Sequence, residues 1–179
     1  MRKIIFALAF LVPSLCLATV MIPLDLNQLT DQADKIVLGH CINKRVYQTG
    51  KMIWTEYTFQ VYEVLKGEGI KEVKIRQPGG ELNGNGVMVP GTASFSPFEE
   101  NLLFLDKEKE GSRDLVGWAQ GRFKVYYDEK TKSKYTFQNL SGISFVKKNG
   151  DTVSVEPMKV DLEQIKAQIK TIVAQKKVK

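Results

Sequence analysis

The chain is poor in the residues that carry most enzyme chemistry. Among 179 residues there are one histidine and two cysteines. With His40 as the single histidine, zinc sites of the usual types are excluded unless carboxylates or another chain complete them. A serine or cysteine hydrolase would have to use His40 as its base, and no nucleophile elbow stands near it. Cys16 falls within residues 1–18, so Cys41 alone remains beyond them and no internal disulfide is expected. Stability then has to come from packing. An unpaired cysteine reads first as a buried, inert core residue, with an intermolecular disulfide as the alternative. Charge is also modest. The formal net charge is +6, Arg2 and Lys3 supply part of it, and Lys166, Lys170, Lys176, Lys177 and Lys179 crowd the far end. The body between is close to balanced, which argues against nucleic-acid binding.

What the chain does have begins at its first residues. Met1-Arg2-Lys3 is a short basic start, an apolar run from Ile4 to Ala18 follows, and small residues stand at Cys16 and Ala18 around Leu17. This is the pattern of a secretory signal peptide over residues 1–18, cleaved after Ala18. The run is shorter than the about 20 apolar residues of a membrane-spanning helix and contains Pro13. Leu15, rather than a small residue, precedes Cys16, which argues against lipidation there. The expectation is an exported protein, periplasmic or secreted, with one domain over 19–179 and no membrane span once the leader is gone.

Hydrophobic spacing outlines that domain. Leu26, Leu29 and Ala33 have helical spacing behind Asp25, a helix cap, which predicts a short helix over about 26–33. From Lys35 the period changes to two. Ile36 to Ile42 is apolar on much of both faces, as central strands are. After a turn at Thr49-Gly50-Lys51, a long strand places Ile53, Thr55, Tyr57, Phe59 and Val61 toward a core and Trp54, Glu56, Thr58, Gln60 and Tyr62 on the other face. The alternation slips at Val64-Leu65, the mark of a bulge or a strand end. Val73 and Ile75 make a third strand. The stretch Gly79–Pro97 is rich in glycine, asparagine and proline, with Val87, Met88, Val89 and Phe95 as anchors, and a loop this long is functional or pinned.

Further strands are expected at Leu102–Leu105, Leu115–Trp118, Phe123–Tyr127 and Lys134–Phe137. A hairpin across Asn149-Gly150 joins Ile143–Val146 to Val153–Val155. Asp161 resembles a capping-box residue ahead of a helix over about 161–175 with the stripe Leu162, Ile165, Ile169 and Ile172. Strands in series without alternating helices predict a mainly β fold. It is an antiparallel barrel or sandwich, OB-like, of about eight strands with a short N-terminal and an amphipathic C-terminal helix.

Several sequence features invite a chemical reading. Gly79 and Gly84 have phosphate-loop spacing, but Asn85-Gly86 stands where lysine and serine or threonine are required. Glu99-Glu100 is an adjacent carboxylate pair, and on extended chain the two point to opposite sides, so the pair reads as solvating a strand entry. His40 and Cys41 are separated the same way. Asn139-Leu140-Ser141 fits a glycosylation sequon, which reads as a chance match. No catalytic residue, metal ligand or cofactor emerges. Trp54, Tyr62 and Trp118 form a candidate stacking surface, with Arg76, Gln77 and Asn83 as hydrogen-bonding partners at the Gly79–Pro97 loop. Lys176, Lys177 and Lys179 are candidates for weak contact with an anionic surface.

Four strings carry a resemblance across nearly all of residues 19–179. They are Tyr57-Thr58-Phe59-Gln60-Val61-Tyr62-Glu63-Val64-Leu65-Lys66-Gly67, Arg76-Gln77-Pro78-Gly79-Gly80, Phe98-Glu99-Glu100-Asn101-Leu102-Leu103-Phe104-Leu105 and Val116-Gly117-Trp118-Ala119-Gln120-Gly121-Arg122-Phe123. They resemble strings in secreted bacterial proteins of no assigned function, a likeness that implies a domain type and no activity. The strand order is also similar, more loosely, to the netrin-like barrel of tissue inhibitors of metalloproteinases. Those inhibitors chelate zinc through an N-terminal cysteine, where this chain has Thr19, and the inhibitors' disulfides are missing. The expected function is an exported, non-catalytic binding module whose partner is an envelope or secreted protein or a polymer. The alternative is an inhibitor or accessory protein of a secreted metalloprotease.

Overall fold

The computed structural model describes residues 19–177, so the leader read at 1–18 lies outside the described residues. β1 (Thr19–Met21) leads to α1 (Leu26–Gln32). Asp25 caps α1 by accepting from the Gln28 amide at 2.8 Å, while the Gln28 side chain takes the Asp25 amide at 2.9 Å, a complete capping box. At the other end the Lys66 ammonium donates to the carbonyls of Thr30 and Ala33, satisfying acceptors that the helix leaves open.

Two long strands follow, β2 (Lys35–Thr49) and β3 (Met52–Lys66), then β4 (Glu72–Pro78), the small hairpin β5 (Gly80–Leu82) and β6 (Asn85–Val87), and β7 (Glu100–Leu105). A 3-10 helix spans Trp118–Gly121. After it come β8 (Arg122–Asp128), β9 (Ser133–Gln138), β10 (Ile143–Val146), β11 (Thr152–Val153), β12 (Lys159–Asp161) and α2 (Leu162–Lys177). One seven-stranded antiparallel sheet runs in the order β12-β9-β8-β7-β2-β3-β4. A smaller sheet, β1-β10-β11, contains a parallel pair, β1 with β10.

The fold is mainly β and sandwich-like, with an apolar core on each side of the main sheet. Alternation along the central strands supplies both. Ile36 and Leu38 of β2 and Leu102 and Phe104 of β7 pack under Leu29, Leu162, Ile165 and Ile169 of the two helices. Val37, Cys41, Leu103 and Leu105 face the other way and pack with Tyr57, Phe59, Ile75 and Phe95. That two-sided burial is why β2 and β7 read as apolar throughout.

No full barrel forms among the described residues, but the second core is enclosed by a strap. The Arg113 amide donates to the Lys74 carbonyl at 2.8 Å and the Arg76 amide to the Arg113 carbonyl at 2.9 Å. Three residues on, the Val116 amide reaches the Phe104 carbonyl at 2.9 Å. Isolated bridges Ile75–Arg113 and Leu105–Leu115 thus tie β4 back to β7.

Some expectations need correction. Twelve strands are described instead of about eight, because β1, β5, β6 and β12 have three residues each, too few to show a period. Leu115–Trp118 is not a strand. After the Leu115 bridge the backbone turns left-handed at Gly117 (φ 61) and Trp118 (φ 58). Within Gly79–Pro97, Val87 and Met88 are exposed and anchor nothing. Phe95 does anchor, edge-on to Tyr57 and Phe59 with ring centroids 4.9 Å from each. The slip at Val64-Leu65 is a bulge: Ile36 pairs with Lys66 and Val37 with Val64, leaving Leu65 unpaired.

Candidate ligand-binding cleft

Both tryptophans of the chain line a single cleft of about 580 Å³, together with Gln32, Gln77, Asp106 and Asp114. Trp54 gets there by strand alternation. Thr55 turns inward, so Trp54 turns outward beside its cross-strand partner Pro78 on β4. Trp118 gets there by the left-handed turn. Gly117 has φ 61, left-handed backbone that favours glycine, while the nearest atom to an added Cβ, Leu24 Cδ1 at 2.8 Å, is a side-chain tip that can shift. Trp118 itself, a bulky residue, is held at φ 58. Such backbone is costly and persists only when its surroundings enforce it. The strap 113–116 contributes Asp114 to the lining.

The cleft has a definite electrostatic character. Its lining contains two carboxylates and, among the described residues, no lysine or arginine. Arg76 lies just outside, with its guanidinium carbon 4.8 Å from the centroid of the Trp54 ring. Its NH1 pairs with Glu110 at 3.1 Å. Burial works against the Arg76 charge, but the Glu110 hydrogen bond and the field of Asp114 outweigh it, raising its pKa. Asp106 has an exposed partner, Lys109, at 3.6 Å. Asp114 is in no ion pair among the described residues.

Of the six residues expected to bind, Trp54, Trp118 and Gln77 come together here, with Arg76 stacked on the rim. Gln77 is mostly a wall. It is 5 % exposed, its amide nitrogen donates to the Arg76 carbonyl at 2.9 Å, and its oxygen accepts the Ala93 amide at 3.1 Å. Asn83 sits apart at the tip of the β5–β6 hairpin, where its φ of 53 serves the turn. Tyr62 also lies apart, in a shallow depression of about 380 Å³ with His40, Phe98, Glu100 and Lys134. There the Tyr62 hydroxyl donates to Glu100 and Lys134 binds the same carboxylate at 2.7 Å. Burial, then the Glu100 carboxylate, drives the Tyr62 pKa far above its ordinary value, so its proton stays put.

The reading of Glu99-Glu100 as a solvating pair is corrected for Glu99. The two do point apart, but Glu99 is enclosed, bound by Arg122, Lys124 and Asn101. Cys41, facing away from His40, is buried, and burial pushes its thiol pKa up. Lys176 pairs with Asp31, while the Lys177 side chain and Lys179 lie outside the described residues.

Asp106 and Asp114 escaped the sequence reading because no spacing links them to Trp54; only the strap brings them together. Among the described residues, no cluster of three histidine, cysteine or acidic side chains is placed to hold a metal ion. No described helix is long and apolar enough to cross a membrane. No protein-family model matches the chain, and no curated protein matches it.

Proposed function

We propose that the chain is an exported, non-catalytic binding module and that the cleft between Trp54 and Trp118 is where it takes hold of an envelope or secreted protein or polymer. The observation that carries this reading is the meeting of the only two tryptophans in one concave site. Tryptophan supplies large contact area and a donor N–H at little entropic cost, and it is enriched where binding energy concentrates. Holding Trp118 in left-handed backbone costs stability that packing alone does not require, since the residue is 36 % exposed. The two carboxylates in the lining disfavour phosphate-rich polymers, in keeping with the absence of a basic body.

The two tryptophans also provide the assay. Intrinsic fluorescence of this protein arises mainly in the cleft, so a ligand there changes its intensity or wavelength. Titration with a panel of basic, neutral and acidic oligomers should give a saturable change with at least one of them. That change should vanish in Trp118→Ala while the fold, followed by circular dichroism, persists. No saturable change with any member, or a change that Trp118→Ala retains, overturns the assignment of the cleft.

A further inference from the structure

We infer that the cleft takes a cationic group, a lysine or arginine side chain on an extended basic segment of the partner, and that Arg76 occupies part of this site as a built-in competitor. The inference rests on the cleft being the binding site and goes on to name the chemistry of its ligand.

Three observations select a cation. First, the lining offers two indole rings, and an ammonium or guanidinium over such a face is attracted by the ring quadrupole. The protein already makes this contact, since Arg76 lies 4.8 Å from the centroid of Trp54. Trp118 makes no such contact among the described residues, and its ring remains open to a second cation.

Second, the charges near the cleft do not cancel. Asp106 and Asp114 line the cleft, and Glu110 pairs with Arg76 at its edge. Among the described residues, Arg76 and the exposed Lys109 are the cations within ion-pair distance of any of them. Asp114 has none that close, and it feels Arg76 only through space. An exposed pair such as Asp106–Lys109 is weak and screened, so it gives way readily to a better-placed ligand charge.

Third, the two carboxylates set the sign of any charged ligand. A neutral polyol would find donors in the Gln32 amide and the two indole N–H groups, so it is the rival ligand that the experiment has to separate. An anionic ligand would meet two like charges. A segment bearing ammonium or guanidinium groups finds acceptors and rings together. The net charge of +6 on the whole chain repels polycations in general, so any capture of one reports a local site and not bulk attraction.

Arg76 gives this inference a sign that a simple contact residue would not. If the ligand were neutral or acidic, Arg76 would help hold it. If the ligand is a cation, Arg76 covers one Trp54 face and offsets Asp114, so removing its charge should tighten binding.

The experiment uses purified protein, tetralysine as probe, and fluorescence or calorimetry as readout. Fully acetylated tetralysine and a neutral hexasaccharide are the comparison ligands. Tetralysine should bind and the acetylated peptide should not. Affinity should fall about tenfold between roughly 20 and 200 mM salt, since exposed charges are screened over that range. Asp114→Asn should weaken binding by about threefold to tenfold, and Arg76→Gln should strengthen it by about threefold, magnitudes typical of single charge and cation–ring contacts.

Equal binding of the acetylated peptide, or weaker binding by Arg76→Gln, overturns the cationic assignment. Because Arg76 also packs on Trp54, Arg76→Met serves as a second variant that keeps the apolar contact, and it should show the same gain. If the hexasaccharide alone gives a Trp118-dependent signal, the cleft is a binding site and its ligand is not a cation. If no probe gives one, both readings fail.

Discussion

Glu99 and Arg122 form an ion pair nearly sealed from water, with side chains 7 % and 12 % exposed. Lys124 approaches the other Glu99 oxygen at 3.0 Å. Asn101 completes the group, donating to Glu99 at 3.1 Å and accepting from Arg122 Nε at 3.0 Å. Every strong group is satisfied, so the loss of one partner leaves enclosed charge behind. Glu99→Ala should cost about 3 kcal/mol, the range for breaking an enclosed pair, measured by urea unfolding. A loss under about 1 kcal/mol, as for an exposed pair, would contradict this picture.

Acid should unfold the protein through the same group. Burial raises the Glu99 pKa, but Arg122, Lys124 and Asn101 outweigh it and hold the carboxyl below its ordinary range. The hydrogen bond from Arg113 does the same for Asp34. At Glu63, burial again opposes, and Lys166 and Lys170 win. Each native carboxyl therefore binds its proton less tightly than the unfolded chain does. The stability this provides is complete above the ordinary carboxylate range, near pH 4 to 5, and is lost as pH falls through the lowered native values. The thermal midpoint should be flat from pH 7 to about 5 and drop below about 4, less steeply in Glu99→Gln. A midpoint that rises on acidification contradicts the assignment.

Gly39 marks where the two long strands press closest. A Cβ there would lie 2.4 Å from the Gln60 carbonyl oxygen, which is backbone and cannot step aside. The ladder is irregular at this point: Leu38 pairs with Glu63 and Gly39 with Val61, so Tyr62 bulges. Gly39→Ala should destabilise by about 1 to 3 kcal/mol. Gly86→Ala, with nothing within 4 Å of the added atom, should be close to neutral. Equal effects in thermal melts would refute the close approach.

Cys41 should be silent until the fold opens. It is 2 % exposed, burial raises its thiol pKa, and its sulfur lies 3.5 Å from the Asn43 carbonyl. A thiol reagent followed by peptide mapping should label Cys41 at the rate of unfolding and not faster. Rapid labelling of the native protein, or a disulfide-linked dimer through Cys41, would contradict its placement.

Much of the fold was legible because it obeys local rules. The Asp25 cap, the two-sided apolar run from Ile36, the Val64-Leu65 slip and the α2 stripe each announce themselves within a few residues, although Ile42, read as the end of that run, is passed over by the ladder and exposed. What was hidden depends on long-range closure. The strap 113–116 gains its place from hydrogen bonds to β4 and β7, whereas its own apolar residues read as a strand over Leu115–Trp118, which does not form. Within Gly79–Pro97, Phe95 is legible as an anchor, whereas Ala93, which is also core, carries no local signal. The site was half legible for the same reason. Tryptophans on an outward strand face are visible in sequence, whereas the carboxylates opposite them arrive by topology. Spacing alone likewise grouped Tyr62 with Trp54, which the bulge and the strand length keep in separate depressions.

The most direct measurement is an NMR titration of uniformly ¹⁵N-labelled protein with tetralysine, observed at the indole N–H signals. Trp54 and Trp118 supply both of those signals, and single Trp→Phe variants assign them. Both should move in a concentration-dependent, salt-sensitive way. Stationary indole signals, while backbone amides elsewhere shift or nothing shifts at all, would contradict the cleft as the place where this protein binds.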